Sequence, residues 1–177
     1  MLYIHYYKSP LGNILMAADS VGLTGLWFEG QKYFPYELNI EYKEKELPIF
    51  EQTKKWLDIY FSGYEPDFMP DVHMIGSEFQ IKVWSILKQI PYGQTMTYGE
   101  IANKIAEQNG GIPMSAQAVG GAVGHNLISI IIPCHRVVGK NGSLTGYAGG
   151  IERKIKLLEL ENVNVKNFFI PKKGTAL

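Results

Sequence analysis

The chain of 177 residues has few of the features that would assign it to a broad class of proteins. A single cysteine excludes an internal disulfide framework and a zinc site with several cysteines, and it is typical of a reducing compartment. The four histidines are scattered, so we expect no metal. No basic leader opens the chain, and the longest apolar run, Ile128 to Pro133, is too short to cross a bilayer. These absences predict a cytoplasmic protein without membrane contact.

What is present indicates a packed, two-part molecule. Hydrophobic residues make up 46% of the chain and charged residues 19%, which favours a globular fold over a disordered binder. Residues 1–76 hold 6 Lys+Arg against 11 Asp+Glu, a balance of −5, and residues 77–177 hold 11 against 6, a balance of +5. The basic half is weak evidence for an anionic partner such as nucleic acid.

The N-terminal half reads as a small α+β domain. Residues 2–28 alternate and break like three strands of an antiparallel sheet, and residues 29–46 look like a charged connector. Apolar residues at helical spacing predict a helix from Leu47 to Phe61, followed by a linker over residues 62–76. We therefore predict one domain over residues 1–76 and a second, mainly helical one over residues 77–177.

Helices dominate the second half. Capping boxes begin at Ser77 and Thr97, and the segment SAQAVGGAVGHN, residues 115–126, predicts a further helix, with a last one over IERKIKLLELE. The helices after Thr97 and Ser115 have the outline of a helix-turn-helix, although the pattern alone favours an ordinary helical subdomain. Gly120 and Gly121 each disfavour a helix interior, so either a phosphate backbone or a neighbouring helix should approach closely there.

The one cysteine lies in IIIPCHRVVG, residues 130–139. We expect a buried strand over Ile128 to Pro133 that leads to Cys134. The thiol is then either an inert core residue or a nucleophile. Neighbouring side chains of a strand point to opposite faces, so Cys134 and His135 should not pair directly. A relay through water is the alternative, with His135 as base and Glu161 fixing its tautomer.

The segment PCHRV resembles the active-site motif of the O6-alkylguanine-DNA alkyltransferases. The resemblance extends through PYGQTMTYGEIA, AVGGAVGHN, NGSLTGYAGG and the terminal helix, and is only general in the N-terminal half. It implies an α+β fold with a ribonuclease H-like N-terminal domain and a C-terminal DNA-binding and alkyl-acceptor domain. That second domain would contain the helix-turn-helix and an active-site strand.

This resemblance implies DNA repair by a protein that is consumed. Cys134 would take the alkyl group from O6-methylguanine, and more weakly from O4-methylthymine, in one irreversible turnover. The partner would be double-stranded DNA containing O6-alkylguanine, from which the damaged base is flipped. The resemblance implies no cofactor and no obligatory protein partner, and we expect a monomer.

The family roles map onto individual residues. Tyr98 would press on the 3′ phosphate and donate its hydroxyl to N3 of guanine, and Asn126 would hold the turn before the active site. His135 would relay the proton through water, with Glu161 as its anchor. The remaining implied contacts are with DNA at Gln117, Ala118, Gly120 and Gly121, and with the extruded base at Val137, Tyr147 and Ala148.

Two positions depart from the family pattern. Gln117 stands where the family usually has an arginine finger, and Leu127 where a proline is common. Glutamine lacks the fixed charge of guanidinium, so we expect less efficient base flipping or more reliance on Tyr98. Arg136 should have a structural role, such as a salt bridge between domains. Two other functions remain as alternatives: a binding-only relative, which Cys134 argues against, and a different thiol enzyme such as a hydrolase.

Overall fold

The computed structural model describes residues 1–36 and 41–172 of the chain. It divides into two compact units. The first comprises Met1–Ile75 together with Leu127–Ile131, and the second comprises Gly76–Asn126 and the chain from Ile132 onwards. The segment Leu127–Ile131 was expected in the second half and instead packs with the first unit. The division of the chain into domains of residues 1–76 and 77–177 stays a prediction.

A four-stranded sheet forms the centre of the first unit. Strands β1 (Leu2–Ser9), β2 (Gly12–Ala18) and β3 (Leu23–Phe28) pair antiparallel, as predicted from their alternation and turns. A short strand, β4 (Tyr42–Glu44), pairs parallel with β1 and completes the order β3-β2-β1-β4. It lies within the predicted connector and was missed, because three exposed residues at a sheet edge show no apolar alternation.

Helix α1 (Pro48–Phe61) packs on one face of this sheet, as its apolar spacing predicted. Its buried residues are Phe50, Thr53, Trp56, Leu57 and Tyr60. The His5 ring of β1 stacks on Phe50 with centroids 5.7 Å apart, and the Tyr7 hydroxyl donates to Asp58 at 2.7 Å. These contacts join the helix to the first strand.

The predicted linker after α1 is held against the sheet. Leu23 N donates to Asp71 O at 2.9 Å, and His73 N donates to Leu23 O at 2.8 Å. A Cβ at Gly22 would lie 2.7 Å from Asp71 O, so glycine is required where these two segments of the backbone approach each other. The segment therefore extends the β3 edge of the sheet.

The second unit is mainly helical. Its helices are α2 (Glu78–Leu87), α3 (Tyr98–Gln108), α4 (Ala116–Gly124) and α5 (Ile151–Leu160), and its only named strands in the described chain are β5 (Met96–Thr97) and β6 (Val137–Val138), paired parallel. The predicted capping boxes are both formed, at Ser77 and Thr97. Trp84 Nε1 of α2 donates to Ala122 O of α4 at 2.9 Å. The α+β fold class is confirmed, with α3 and α4 in the outline of a helix-turn-helix.

The strand predicted over Ile128 to Pro133 is wrong. Those residues are buried as expected, but the backbone turns: Ile130 has φ 69°, and Cys134 N donates to Ile132 O at 2.8 Å. Ile128 forms only an isolated parallel bridge with Leu26, Cys134–Arg136 forms a single 3-10 turn, and strand pairing resumes at Val137. A short apolar run indicates burial, but its composition does not distinguish a buried strand from a buried turn.

None of the helices in the described part of the chain is long and apolar enough to span a membrane.

Candidate active site

The thiol of Cys134 lies at the start of the 3-10 turn and is 4% exposed. Asn126, just after α4, donates from Nδ2 to Cys134 Sγ at 3.2 Å and to Ile132 O at 2.8 Å. One amide group thus holds both the sulfur and the backbone that leads to it. The family resemblance implied that Asn126 holds the turn before an active-site strand, and the structure places it next to the thiol, before a 3-10 turn instead.

Burial raises the pKa of the Cys134 thiol above its ordinary value. The hydrogen bond from Asn126 and the positive charge of Lys154 act in the opposite direction and do not outweigh burial. The resting sulfur is therefore a neutral thiol, and it needs a base to become the thiolate that reacts.

His135 and Arg136, which follow Cys134 in the sequence, form a buried cluster with Glu161. His135 Nε2 lies 2.6 Å from Glu161 Oε1. Arg136 donates from Nε to Glu161 Oε2 at 2.8 Å and from Nη2 to Oε1 at 3.0 Å, and from Nη1 to Ile90 O at 2.7 Å. The suggested interdomain salt bridge of Arg136 is wrong, because all of these partners belong to the second unit. Arg136 instead braces the carboxylate that holds the histidine.

The protonation states of this cluster follow from burial and charge. Burial alone would raise the pKa of Glu161, but hydrogen bonds from His135 and Arg136 and the charge of Arg136 outweigh it and hold that pKa well below its usual range. Burial lowers the pKa of His135, despite the opposing effect of Glu161. The histidine at rest is a neutral imidazole that donates from Nε2–H to the Glu161 carboxylate, which makes Nδ1 its basic nitrogen.

The expected separation of the Cys134 and His135 side chains rested on strand geometry, which the structure replaces with a 3-10 turn. Successive side chains of such a turn point about 120° apart, because it has about three residues per turn. Side-by-side pairing therefore remains disfavoured, for a different geometric reason.

Lys154 belongs to the same site and was not found from the sequence. It is fully buried on α5, and its Nζ donates to Val137 O and, at 2.9 Å, to Thr145 O. Burial lowers its pKa to about 8. The signal was available: Lys154 precedes the buried Leu157 and Leu158 by three and four residues, so it occupies the apolar face of the helix.

Tyr98 opens α3 beside a cavity of about 680 Å³. Its hydroxyl donates to Thr145 O at 3.1 Å and to Gly146 O at 3.4 Å, and burial raises its pKa to about 12. The cavity is lined by Thr97, Tyr98, Gly99, Glu100, Asn103, Ala116, Gln117, Gly120, Lys140, Thr145 and Gly146. The structure thus brings together Tyr98, Gln117 and Gly120, which the sequence had grouped.

The three residues expected to contact the extruded base, Val137, Tyr147 and Ala148, are not among the described residues that line this cavity. Tyr147 is buried and Ala148 is half-buried in the loop after the cavity wall, and the Val137 carbonyl is held by Lys154. A Cβ at Gly149 would lie 2.6 Å from the Tyr147 ring, so a side chain here would force that ring to shift.

The outer surface of α4 is bare. Gln117, Ala118 and Gly121 are exposed, and Gly120 is half-buried. A Cβ at Gly120 would make ordinary contact with the Tyr98 ring at 3.8 Å, and one at Gly121 would meet nothing within 4 Å. Helix packing within the described chain therefore does not explain the glycine pair.

Over residues 1–36 and 41–172, no group of three or more His, Cys, Asp or Glu side chains could hold a metal ion.

Two family matches cover most of the chain. Residues 2–69 match the ribonuclease-like domain of 6-O-methylguanine DNA methyltransferase, and residues 78–163 match the DNA binding domain of the same family. The methylated-DNA–protein-cysteine methyltransferase of Haemophilus influenzae is 42% identical over 164 residues, covering 92% of this chain and 87% of the relative. That of Methanosarcina acetivorans is 44% identical over 161 residues, covering 90% of this chain and 98% of the relative.

Solved structures agree with these matches. Mycobacterium tuberculosis O6-methylguanine methyltransferase superposes with a TM-score of 0.77 at 42% identity, covering 91% of this chain and 93% of that one. Mycobacterium tuberculosis OGT in complex with DNA superposes with a TM-score of 0.79 at 40% identity, covering 94% of each chain. This chain therefore belongs to the 6-O-methylguanine DNA methyltransferase family, whose curated members are methylated-DNA–protein-cysteine methyltransferases.

Proposed function

We propose that this protein repairs O6-methylguanine in double-stranded DNA by transferring the methyl group to Cys134. The observation that carries the proposal is the buried thiol, which accepts a hydrogen bond from Asn126 and lies next in sequence to the His135–Glu161 pair. The names of the relatives and the DNA complex of a structural neighbour support the same activity.

The route of the thiol proton follows from the resting protonation states of Cys134, His135 and Glu161. As the methyl carbon approaches, the thiol gives its proton through water to Nδ1 of His135, and the ionised Glu161 stabilises the imidazolium that forms. The S–C bond forms as the C–O6 bond breaks, and the bonding electrons stay on guanine. Guanine takes up one proton overall, which balances the proton lost by the thiol.

The damaged nucleotide must leave the base stack, because the sulfur is buried. Extrusion of a base costs on the order of a few kcal/mol. In the proposal α4 lies against DNA through Gln117, Ala118 and the glycine pair. Tyr98 presses on the 3′ phosphate, and its hydroxyl donates a hydrogen bond to N3 of the flipped guanine.

The flipped base would be recognised by the backbone and by an aromatic ring. The Val137 carbonyl would face the exocyclic amine, the Ala148 amide would face O6, and Tyr147 would line the pocket. Gln117 would hydrogen-bond to the orphaned base without the charge of an arginine. Gln117→Arg is then expected to raise DNA affinity and repair rate, and unchanged values would contradict this role.

The reaction is proposed to occur once per molecule, because a thioether is not reduced back and the chain has no second cysteine. O4-methylthymine would be a weaker substrate. Residues 77–177 would form the DNA-binding and alkyl-acceptor domain, and the protein would act as a monomer. We place it in the cytoplasm, where thiols stay reduced.

Intact mass after incubation with a duplex containing O6-methylguanine tests the proposal. We expect a gain of one methyl group, confined to the Cys134 peptide. Cys134→Ser, which keeps the shape of the side chain, should bind the duplex and gain nothing. Tight binding by the wild type without a mass gain would favour a damage sensor, and a released product with turnover would favour a thiol hydrolase.

A further inference from the structure

The helix that the proposal places against DNA carries no charge. α4 reads AQAVGGAVG over Ala116–Gly124 and contains neither lysine nor arginine. Affinity for DNA depends strongly on the neutralisation of backbone phosphates by these two residue types. The neutralising side chains must therefore come from other segments.

A single basic side chain lies on the wall of the cavity beside this helix. Lys140 lines the cavity together with Gln117 and Gly120 of α4, and it is the only basic residue among the described lining. The one acidic residue there, Glu100, is held in the capping box, where its Oε2 accepts from Thr97 N at 2.7 Å.

Lys140 is available for a partner. It is exposed, and it forms no ion pair with any residue for which the structure gives a position. The lysine of α5, Lys154, differs in both respects, because it is buried and donates to two carbonyl groups.

The backbone around Lys140 is a tight turn. Gly139 N donates to Ser143 O at 2.7 Å, and Asn141 and Gly142 both lie in the left-handed region, with φ 60° and 84°. This conformation presents Lys140 at the rim of the cavity without a long mobile loop. A fixed point charge in such a place suits a phosphate, which lysine binds without the planar geometry that arginine imposes.

We propose that Lys140 binds a backbone phosphate of the damaged strand at this cavity and supplies the positive charge that Gln117 does not. The inference rests on the proposed function, because it places the extruded nucleotide beside Tyr98. It assigns the electrostatic part of DNA binding to the turn after β6 rather than to α4.

Salt dependence of binding tests this role. Lys140→Gln in a Cys134→Ser background should lower the magnitude of the slope of log K against log salt by about 0.9. The same relation gives an affinity loss of about 5-fold at about 0.15 M salt and about 15-fold at about 0.05 M. The loss should be similar for damaged and undamaged duplexes, because a phosphate contact does not read the base.

Two variants distinguish a local contact from a general effect. Lys140→Arg keeps the charge and should retain the wild-type slope. Lys156→Gln removes an exposed lysine of α5 that is outside the cavity lining, and it should bind as the wild type does. Thermal unfolding of each variant shows whether the fold is intact.

The two levels of the proposal fail in different ways. A wild-type slope and affinity for Lys140→Gln, with the wild-type chain still gaining a methyl group, would overturn the role of Lys140 alone. An equal loss in Lys156→Gln would overturn it too, because net charge would then explain the effect. If the unsubstituted chain neither bound the damaged duplex nor gained a methyl group, the proposed function itself would fail.

Discussion

The two units place their charged side chains differently. In the described part of the first unit the ion pairs reach solvent: Lys54 contacts Glu46 and Glu51, whose side chains are 64% and 48% exposed, and His73 contacts Asp19 with side chains 38% and 24% exposed. The second unit has an exposed pair as well, Lys82 with Glu78, but it also joins Glu161 to His135 and Arg136 in the interior. Exposed pairs contribute little to stability. A buried cluster carries a desolvation cost, which makes it a candidate for function.

The comparison also separates two kinds of lysine. Lys54 lies among carboxylates, and these contacts raise its pKa. Lys154 lies among carbonyls, and burial lowers its pKa to about 8. The same side chain is therefore a surface charge in one unit and a titratable interior group near the reactive thiol in the other.

Glu161→Gln should have the largest effect. It keeps the shape of the side chain but leaves Arg136 buried without a countercharge, which costs about 3–5 kcal/mol in the free energy of unfolding. Methyl transfer should be lost as well, because His135 loses the carboxylate that stabilises its charged form. Denaturant unfolding and intact mass measure the two effects.

A double variant is the control for Glu161. Adding Arg136→Met removes both charges, so the loss in stability should be smaller than the sum of the single losses. Additive losses in the double variant would contradict a buried ionic cluster.

The low pKa of Glu161 also predicts a pH dependence. The wild type should lose the stabilisation that the Glu161 carboxylate provides as the pH falls below the ordinary carboxyl range.

Lys154→Met should have the next largest effect, seen in how the free energy of unfolding depends on pH. Its pKa is about 8 in the folded chain against 10.5 for an ordinary lysine, so between these values the unfolded chain binds the extra proton. The free energy of unfolding should therefore rise with pH across this window, by up to about 3 kcal/mol relative to Lys154→Met.

Cys134→Ser should be present in both chains of that comparison, because the thiol titrates in the same range with the opposite sign. Its raised pKa keeps a proton in the folded chain that the unfolded chain releases. Parallel stability curves for the two chains would show that the Lys154 ammonium is not held at a lowered pKa.

Lys54→Gln should have the smallest effect. Both of its partners are largely in solvent, so the midpoint of denaturant unfolding should not move measurably. A shift as large as that of Glu161→Gln would remove the contrast between the two units.

Much of the fold could be predicted from local patterns. The three antiparallel strands, the helix after Leu47 and both capping boxes depend on neighbours within a few residues, and all were found where expected. β4 was missed because its pairing with β1 is a long-range contact of exposed residues. The buried strand before Cys134 was wrong because apolar composition indicates burial without defining the backbone path.

The candidate site shows the same division. The motif identified Cys134 and His135, and Glu161, expected as the carboxylate partner of the histidine, does lie 2.6 Å from His135. The salt bridge suggested between Arg136 and the other domain was wrong, because the sequence alone does not show which carboxylate an arginine pairs with. Lys154 and Lys140 were not singled out, because their roles depend on burial and on a cavity wall.

The sequence by itself determined which chemistry is available: one thiol, a histidine beside it and no second cysteine to reset it. Only the tertiary structure decided how those groups are poised. Burial raises the pKa of Cys134 and lowers those of His135 and Lys154, while hydrogen bonds from His135 and Arg136 and the charge of Arg136 lower that of Glu161. These shifts depend on solvent exclusion and on distances between residues far apart in sequence, which no local pattern contains.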